Sequence, residues 1–425
     1  MTLTVAPSAR VRGVVRVPGD KSGSHRALML AALAAGESPI EGLSPGEDVV
    51  ATAEALVAMG ARVVRGARRV VVHGPARGLR PAPAPLECAN SGTSMRLLAG
   101  VVAGVDGEHT LVGDASLSRR PMDRVATPLS LMGARVTGHG PHQRAPLTVV
   151  GATGLRAIDY SVPVPSAQVK SAILLAGLAA TGHVVVRETT RTRATTEVML
   201  SRAGVTVHSV DEGPGRVVTL TPGRPAAREW RVSADPSQAA FFAVAALLAR
   251  EGGVVVPDLD DAPERVGFVA VLARMGGRVS LEEGESGATL SAASSELVGA
   301  VVRASEIPAL DEVPVLAVAA AAASGETRFV GVGELRVKES DRLEGTRALV
   351  QSLGAAARVE GDDLVVEGVG SASRFTAFRL DAGFDHRMAM AGAVAAVCGA
   401  GGEIVGGETV ATSYPGFFGD LAALT

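Results

Sequence analysis

Along the chain one order of residues recurs: a polar cluster, an Ala/Leu-rich run, a glycine, and then a β-branched stretch. The glycines are Gly36, Gly107, Gly182, Gly252, Gly325 and Gly402, spaced 71, 75, 70, 73 and 77 residues apart, each close to one sixth of the 425-residue length. The apolar runs before them predict helices over 26–35, 95–103, 169–180, 239–250, 313–323 and 388–398. Being apolar nearly all round, these helices are expected to be buried on every side. A glycine just past each suits a C′ position, where positive φ costs glycine little. Second, more amphipathic helices are predicted over 49–59, 122–132, 197–203, 264–275 and 341–353, each running into a glycine-containing turn and a strand. The period is too long for an ordinary solenoid and fits a few large α/β units packed around shared buried helices.

The polar clusters open the buried helices. A helix N-terminus presents unpaired N–H groups and the positive end of the dipole, so it attracts anions. Several such ends aimed at one place would make an anion trap. Domain boundaries are faint in the sequence. The Pro-rich stretch 81–85 reads as a surface loop, and the best boundary candidates are short extended crossings at 14–19 and 231–234.

Composition narrows the class. With 47% hydrophobic residues and 3% aromatic ones, the core is expected to be built from Ala, Val and Leu without large aromatic anchors. The net charge of −3 gives no global attraction to nucleic acid or to an anionic membrane. Cys88 and Cys398 are far apart and read as reduced thiols. The first residues lack the apolar region of a signal peptide, and the longest apolar runs, such as 239–249, are shorter than the ~20 residues of a bilayer span. A soluble, cytoplasmic protein is expected.

Lysine is rare: only Lys21, Lys170 and Lys338 occur, while the other basic residues are arginine. Where a charge alone is needed arginine has sufficed, so the surviving lysines mark places where a compact ammonium is required. Each lies in a polar cluster by a helix start. The most charged is Arg336-Val337-Lys338-Glu339-Ser340-Asp341-Arg342, in which five of seven side chains ionise. Lys21-Ser22-Gly23-Ser24-His25-Arg26 opens the first helix; Ser24 as an N-cap would explain one serine but not the flanking lysine and arginine. The spacing is not that of a P-loop. Asn90-Ser91-Gly92-Thr93-Ser94-Met95-Arg96 repeats the arrangement, with small residues that let a ligand approach the backbone. Ser118-Arg119-Arg120-Pro121 sets two guanidiniums before what reads as a helix-starting proline. Ser166-Ala167-Gln168-Val169-Lys170, Asp311-Glu312 and Asp385-His386-Arg387 open further buried helices, and for Asp311-Glu312 dipole capping is an alternative reading. Together Lys21, Arg26, Arg120, Lys338, Arg342 and Arg387 offer cations for anionic groups, and Asp311 and Glu339 offer acids that move protons. Metal-independent chemistry on phosphorylated, carboxylated small molecules follows, with no cofactor.

These clusters, in this order, resemble the enolpyruvyl transferases and within them the EPSP synthase family, from Pro18-Gly19-Asp20-Lys21-Ser22 to Ser413-Tyr414-Pro415. The resemblance implies an inside-out α/β barrel fold with a sixfold pseudo-repeat, arranged as two similar domains, each of three βαβαββ units with buried helices. The domains would be residues 18–233 and residues 1–17 plus 234–425, with the active site in the cleft between them. It also implies transfer of the enolpyruvyl group of phosphoenolpyruvate to the 5-hydroxyl of shikimate 3-phosphate, by addition and elimination through a tetrahedral intermediate. Lys21, Ser22, Arg26, Ser166, Ala167, Gln168, Arg193, Asp311 and Lys338 would bind shikimate 3-phosphate. Lys21, Gly92, Arg120, Gln168, Arg342 and Arg387 would bind phosphoenolpyruvate. Asp311 would face the 5-hydroxyl as base, with Glu339, Lys21 and Lys338 handling the proton at the enol carbon. No metal, nucleic acid or membrane partner is implied, and the chain is expected to act as a monomer.

Some positions depart from the family's pattern. Thr412 stands where many members carry a lysine, Leu97 replaces a common proline, and the segment after Arg193 lacks the usual Asp-His pair. The sister enzyme acting on UDP-N-acetylglucosamine carries a cysteine five residues before the arginine matching Arg120; here that position is Ala115.

Overall fold

The computed structural model describes residues 1–66, 69–284 and 287–425. They divide into two compact units, Lys21–Val232 and Met1–Asp20 with Ser233–Thr425. In Lys21–Val232 the repeat is plainest in its middle third. Leu86–Glu87 leads into the buried helix Gly92–Ala103, then the strand Gly107–Val112, the helix Asp123–Leu131, and the hairpin Arg135–His139 with Arg144–Gly151. The first strand runs parallel to Gly107–Val112, and the hairpin closes the sheet antiparallel to it. This is a βαβαββ unit.

Among the described residues six sheets follow that plan, five with four strands and one with three. Three of them complete themselves from distant sequence. In Lys21–Val232 the first sheet takes Trp230–Arg231 parallel to Gly36–Glu41. In the other unit Arg10–Val14 pairs parallel with Glu251–Leu259, and Thr2–Val5 lies antiparallel to Gly402–Val405 in the three-stranded sheet. These pairings are why the N-terminal residues belong with the C-terminal half.

The six apolar helices are Lys21–Leu33, Gly92–Ala103, Ala167–Gly177, Pro236–Leu248, Val313–Ala322 and His386–Cys398. Every residue of Val313–Ala322 is buried. Small side chains let such helices touch closely: a Cβ on Gly100 would stand 2.3 Å from the carbonyl oxygen of Ala172 on the neighbouring helix. The repeating glycines correct the C′ expectation. They sit at or beside the start of the following strand, and only Gly36, Gly107 and Gly325 have positive φ, at 113°, 116° and 88°. Gly252 is instead required by close approach, since a Cβ there would overlap the carbonyl of Ala246.

The absence of aromatic anchors is also corrected. Phe241, Phe242, Tyr414 and Phe417 pack together in the unit Met1–Asp20 with Ser233–Thr425, with Phe242 and Phe417 centroids 5.5 Å apart. Tyr414, from the motif Ser413-Tyr414-Pro415, donates its hydroxyl to Asp420 at 2.6 Å. Among the described residues no helix is long and apolar enough to cross a membrane.

Candidate active site

In Lys21–Val232 the first buried helix begins at Lys21 itself, so Ser22, Ser24 and Arg26 lie within its first two turns. Ser24 is therefore no N-cap; its buried hydroxyl accepts from the Ser44 N–H at 2.9 Å. Lys21 forms an ion pair with Asp48, which is buried in the first turn of Glu47–Ala58. Arg26 is buried and held by neutral oxygens: its Nε donates to Thr196 Oγ1 at 2.6 Å, and its terminal nitrogens to the Ser22 carbonyl at 2.9 Å and Ser171 Oγ at 2.8 Å. Between them His25 is wholly buried, its Nδ1 2.8 Å from Thr52 Oγ1. Burial, with Lys21 and Arg26 nearby, holds its pKa well below the ordinary histidine value, so the ring is neutral.

The second and third buried helices bring their N-termini together. Ser91 caps Gly92–Ala103 by accepting from Ser94 N–H at 2.9 Å, and Ser166 caps Ala167–Gly177 by accepting from Val169 N–H at 3.4 Å. Arg96 bridges them, donating to Gln168 Oε1 at 2.5 Å and to the Pro121 carbonyl at 3.1 Å, while Gln168 Nε2 donates to Thr93 Oγ1 at 2.9 Å. Arg120 donates to Asn90 Oδ1 at 2.6 Å and Ser116 Oγ at 3.3 Å. A Cβ on Gly92 would stand 3.2 Å from one terminal nitrogen of Arg120 and 3.0 Å from one of Arg96, so glycine here gives both guanidiniums room over the helix end. Gly92, Arg96, Arg120 and Gln168 thus form one group. Pro121 does not start a helix; Asp123–Leu131 begins two residues later, and of the paired arginines Arg120 is buried while Arg119 is exposed. Arg193 is half-buried just before the helix Thr195–Arg202.

The other unit gathers Asp311, Lys338, Glu339, Arg342 and Arg387. Glu312, at the N-cap position, makes no cap bond with its side chain and accepts from the Ser237 hydroxyl. Asp311 instead faces three cations, Arg342 at 3.1 Å, Arg387 at 3.6 Å and Lys338 at 3.7 Å. The preceding residue, Leu310, is held at φ 58°, a left-handed conformation uncommon outside glycine, of the kind found where surrounding structure fixes a functional loop. Lys338 Nζ also donates to the Ala309 carbonyl at 3.1 Å.

Arg342 is the hub. It is wholly buried and donates to both oxygens of Asp385, at 2.9 and 3.0 Å, and to Glu339 at 2.5 Å. Burial opposes its charge, but Asp385, Glu339 and Asp311 outweigh burial and hold its pKa above the ordinary guanidinium value. Asp385 also caps His386–Cys398, accepting from the Arg387 N–H at 3.0 Å, and accepts from Ser340 Oγ at 2.9 Å. Of the departing positions, Thr412 donates to the Thr409 carbonyl at 2.9 Å, Leu97 is wholly buried, and Ala115 is exposed.

Several partners escaped the sequence reading. Asp48 carried no signal, and Arg96 and Asp385 stood only as members of their motifs. Arg265, buried between Asp20 and Asp235, carried no signal at all. The carboxylate partners of Lys170 escaped the reading too: the lysine is wholly buried, with Glu188 and Glu197 each 2.7 Å away.

The chain matches the family model described as EPSP synthase (3-phosphoshikimate 1-carboxyvinyltransferase) over residues 5–421. It is 46% identical to the 3-phosphoshikimate 1-carboxyvinyltransferase of Rhodopseudomonas palustris strain HaA2, over 96% of this chain and 94% of the relative. It is 43% identical to that of Desulforudis audaxviator strain MP104C, over 100% and 99%. Among solved structures, EPSP synthase from Acinetobacter baumannii superposes with a TM-score of 0.86 at 36% identity, covering 100% of this chain and 98% of the other. The enolpyruvyl transferase NikO from Streptomyces tendae shares the fold, with a TM-score of 0.78 at 18% identity, covering 100% and 97%. This chain belongs to the EPSP synthase (3-phosphoshikimate 1-carboxyvinyltransferase) family.

Proposed function

We propose that the two clusters divide one reaction between them. That reaction is transfer of the enolpyruvyl group of phosphoenolpyruvate to the 5-hydroxyl of shikimate 3-phosphate, giving 5-enolpyruvylshikimate 3-phosphate and phosphate. Lys21, Ser22, Arg26, Ser166, Ala167, Gln168 and Arg193 take the shikimate-phosphate side, with Asp311 and Lys338. Lys21, Gly92, Arg120, Gln168, Arg342 and Arg387 take phosphoenolpyruvate. The observation that carries this assignment is Asp311, a carboxylate that faces three cations and sits beside the strained Leu310. Asp311 accepts the proton of the 5-hydroxyl as its oxygen bonds to C2 of phosphoenolpyruvate, while C3 takes a proton handled by Glu339, Lys21 or Lys338. The tetrahedral adduct then loses a proton from C3, the C2–O bond to phosphate breaks, and the enol double bond returns.

The same proposal reads residues 18–233 and 1–17 plus 234–425 as two three-repeat domains. Three sheets in each compact unit support it. It also places the protein in the cytoplasm as a monomer; the buried, unpaired Cys88 and Cys398 suit a reducing compartment. The test is phosphate release, expected only when phosphoenolpyruvate and shikimate 3-phosphate are both present and without added metal. Release with UDP-N-acetylglucosamine in place of shikimate 3-phosphate, or activity lost to a chelator and restored by a divalent metal, would overturn it.

A further inference from the structure

Lys170 has no part in the substrate assignment, yet it is one of the largest wholly buried side chains in the molecule. Its ammonium donates to Glu188 Oε2 at 2.7 Å and makes an ion contact with Glu197 Oε1, also at 2.7 Å. Glu188 ends the strand Val184–Glu188, and Glu197 lies in the first turn of the helix Thr195–Arg202. The two carboxylates therefore bracket residues 189–194, the segment that carries Arg193. Within it Thr192 donates its hydroxyl to the other oxygen of Glu188. The neighbour of Lys170, Ser171, lies 2.6 Å from Thr196 Oγ1 and accepts from Arg26 at 2.8 Å.

We propose that Lys170 is a positioning residue for the shikimate-phosphate site: it draws both ends of the Arg193 segment onto the helix Ala167–Gly177, whose N-terminus carries Ser166, Ala167 and Gln168. This rests on the functional reading above. The reason is electrostatic. Two buried carboxylates on separate elements repel one another, and a buried charge left without its partner is strongly unfavourable. The ammonium between them converts that repulsion into a clasp. Methionine is nearly as long but uncharged, so Lys170→Met leaves the volume filled and opens the clasp.

The test is a double-mutant cycle of Lys170→Met with Arg193→Ala, reading kcat and both KM values. Lys170→Met is expected to raise KM for shikimate 3-phosphate about 10-fold, within the range of coupling between residues that share a network, while KM for phosphoenolpyruvate stays within about twofold. In the Arg193→Ala background the same change is expected to add nothing to KM. Full additivity, or parallel loss for both substrates, would overturn the proposal. Thr192→Val, which cuts only the hydroxyl tie, is expected to raise the same KM about threefold with unchanged thermal unfolding; combined with Arg193→Ala it decides the matter by the same criterion if Lys170→Met fails to fold. Wild-type turnover is the control. Its absence would remove the functional reading, whereas normal turnover with an unmoved KM in the variants removes the clasp alone.

Discussion

Three arginines of Lys21–Val232, Arg26, Arg96 and Arg120, and the cations around Asp311 differ in the partners they meet. Arg26, Arg96 and Arg120 donate to hydroxyl, amide and carbonyl oxygens. Such bonds fix a guanidinium's direction and do not themselves neutralise its charge. In the other unit Lys338, Arg342 and Arg387 meet Asp311, Glu339 and Asp385, three cations against three carboxylates. A balanced cluster attracts an anion less strongly, but it keeps acids and bases close enough to exchange protons with a substrate. The first arrangement suits holding, and the second adds conversion to holding.

The largest expected effect comes from breaking the balanced cluster at its hub. Arg342→Met leaves the buried Asp385 and the carboxylates of Glu339 and Asp311 without their shared partner, so a loss of about 3–5 kcal/mol in unfolding free energy is expected, together with activity. Urea unfolding measures it, and a loss below about 1 kcal/mol would show the carboxylates to be supported elsewhere. The matching change on the other side is milder. Arg120→Lys keeps the charge but loses the planar fork, so KM for phosphoenolpyruvate is expected to rise about 10-fold with little change in stability. An equal fall in kcat at unchanged KM would place Arg120 among the converting groups.

The smallest effect reads the charge of the first cluster through His25. Its folded pKa lies below the unfolded value of about 6.5, so the unfolded chain binds the proton more readily. The stability that His25 contributes is complete above that pH and is lost as pH falls below it. Between pH 6.5 and 5.5 the wild type is expected to lose about 1 kcal/mol more than His25→Gln. Identical pH slopes would mean that His25 protonates in place.

The buried helices were legible because their residues are apolar on every side, but their starts were not. Lys21 to His25 is polar, yet already helical, and Ser24 and His25 there are buried against polar partners rather than exposed to solvent. The two-residue strands Leu86–Glu87 and Trp230–Arg231 are too short for any alternation to show. In the site, residues whose chemistry is unusual for their setting stood out, Lys338 above all. Their partners did not, because Asp48, Asp385 and Glu188 meet them only through tertiary packing. Lys170 shows both sides: its rarity was visible, and the carboxylates that explain it come from a strand and a helix farther along the chain.

The division between holding and converting rests most directly on Lys338, whose ammonium lies 3.7 Å from Asp311. Lys338→Arg preserves the charge but substitutes a wider group that effectively never deprotonates. The decisive measurement is steady-state phosphate release by this variant beside titration of shikimate 3-phosphate and thermal unfolding. Turnover is expected to fall at least ~10²-fold with fold and most of the binding retained, as for the loss of a positioned acid-base group. Near-normal turnover would contradict the account, making Lys338 an electrostatic contact and passing the proton to Lys21 or Glu339.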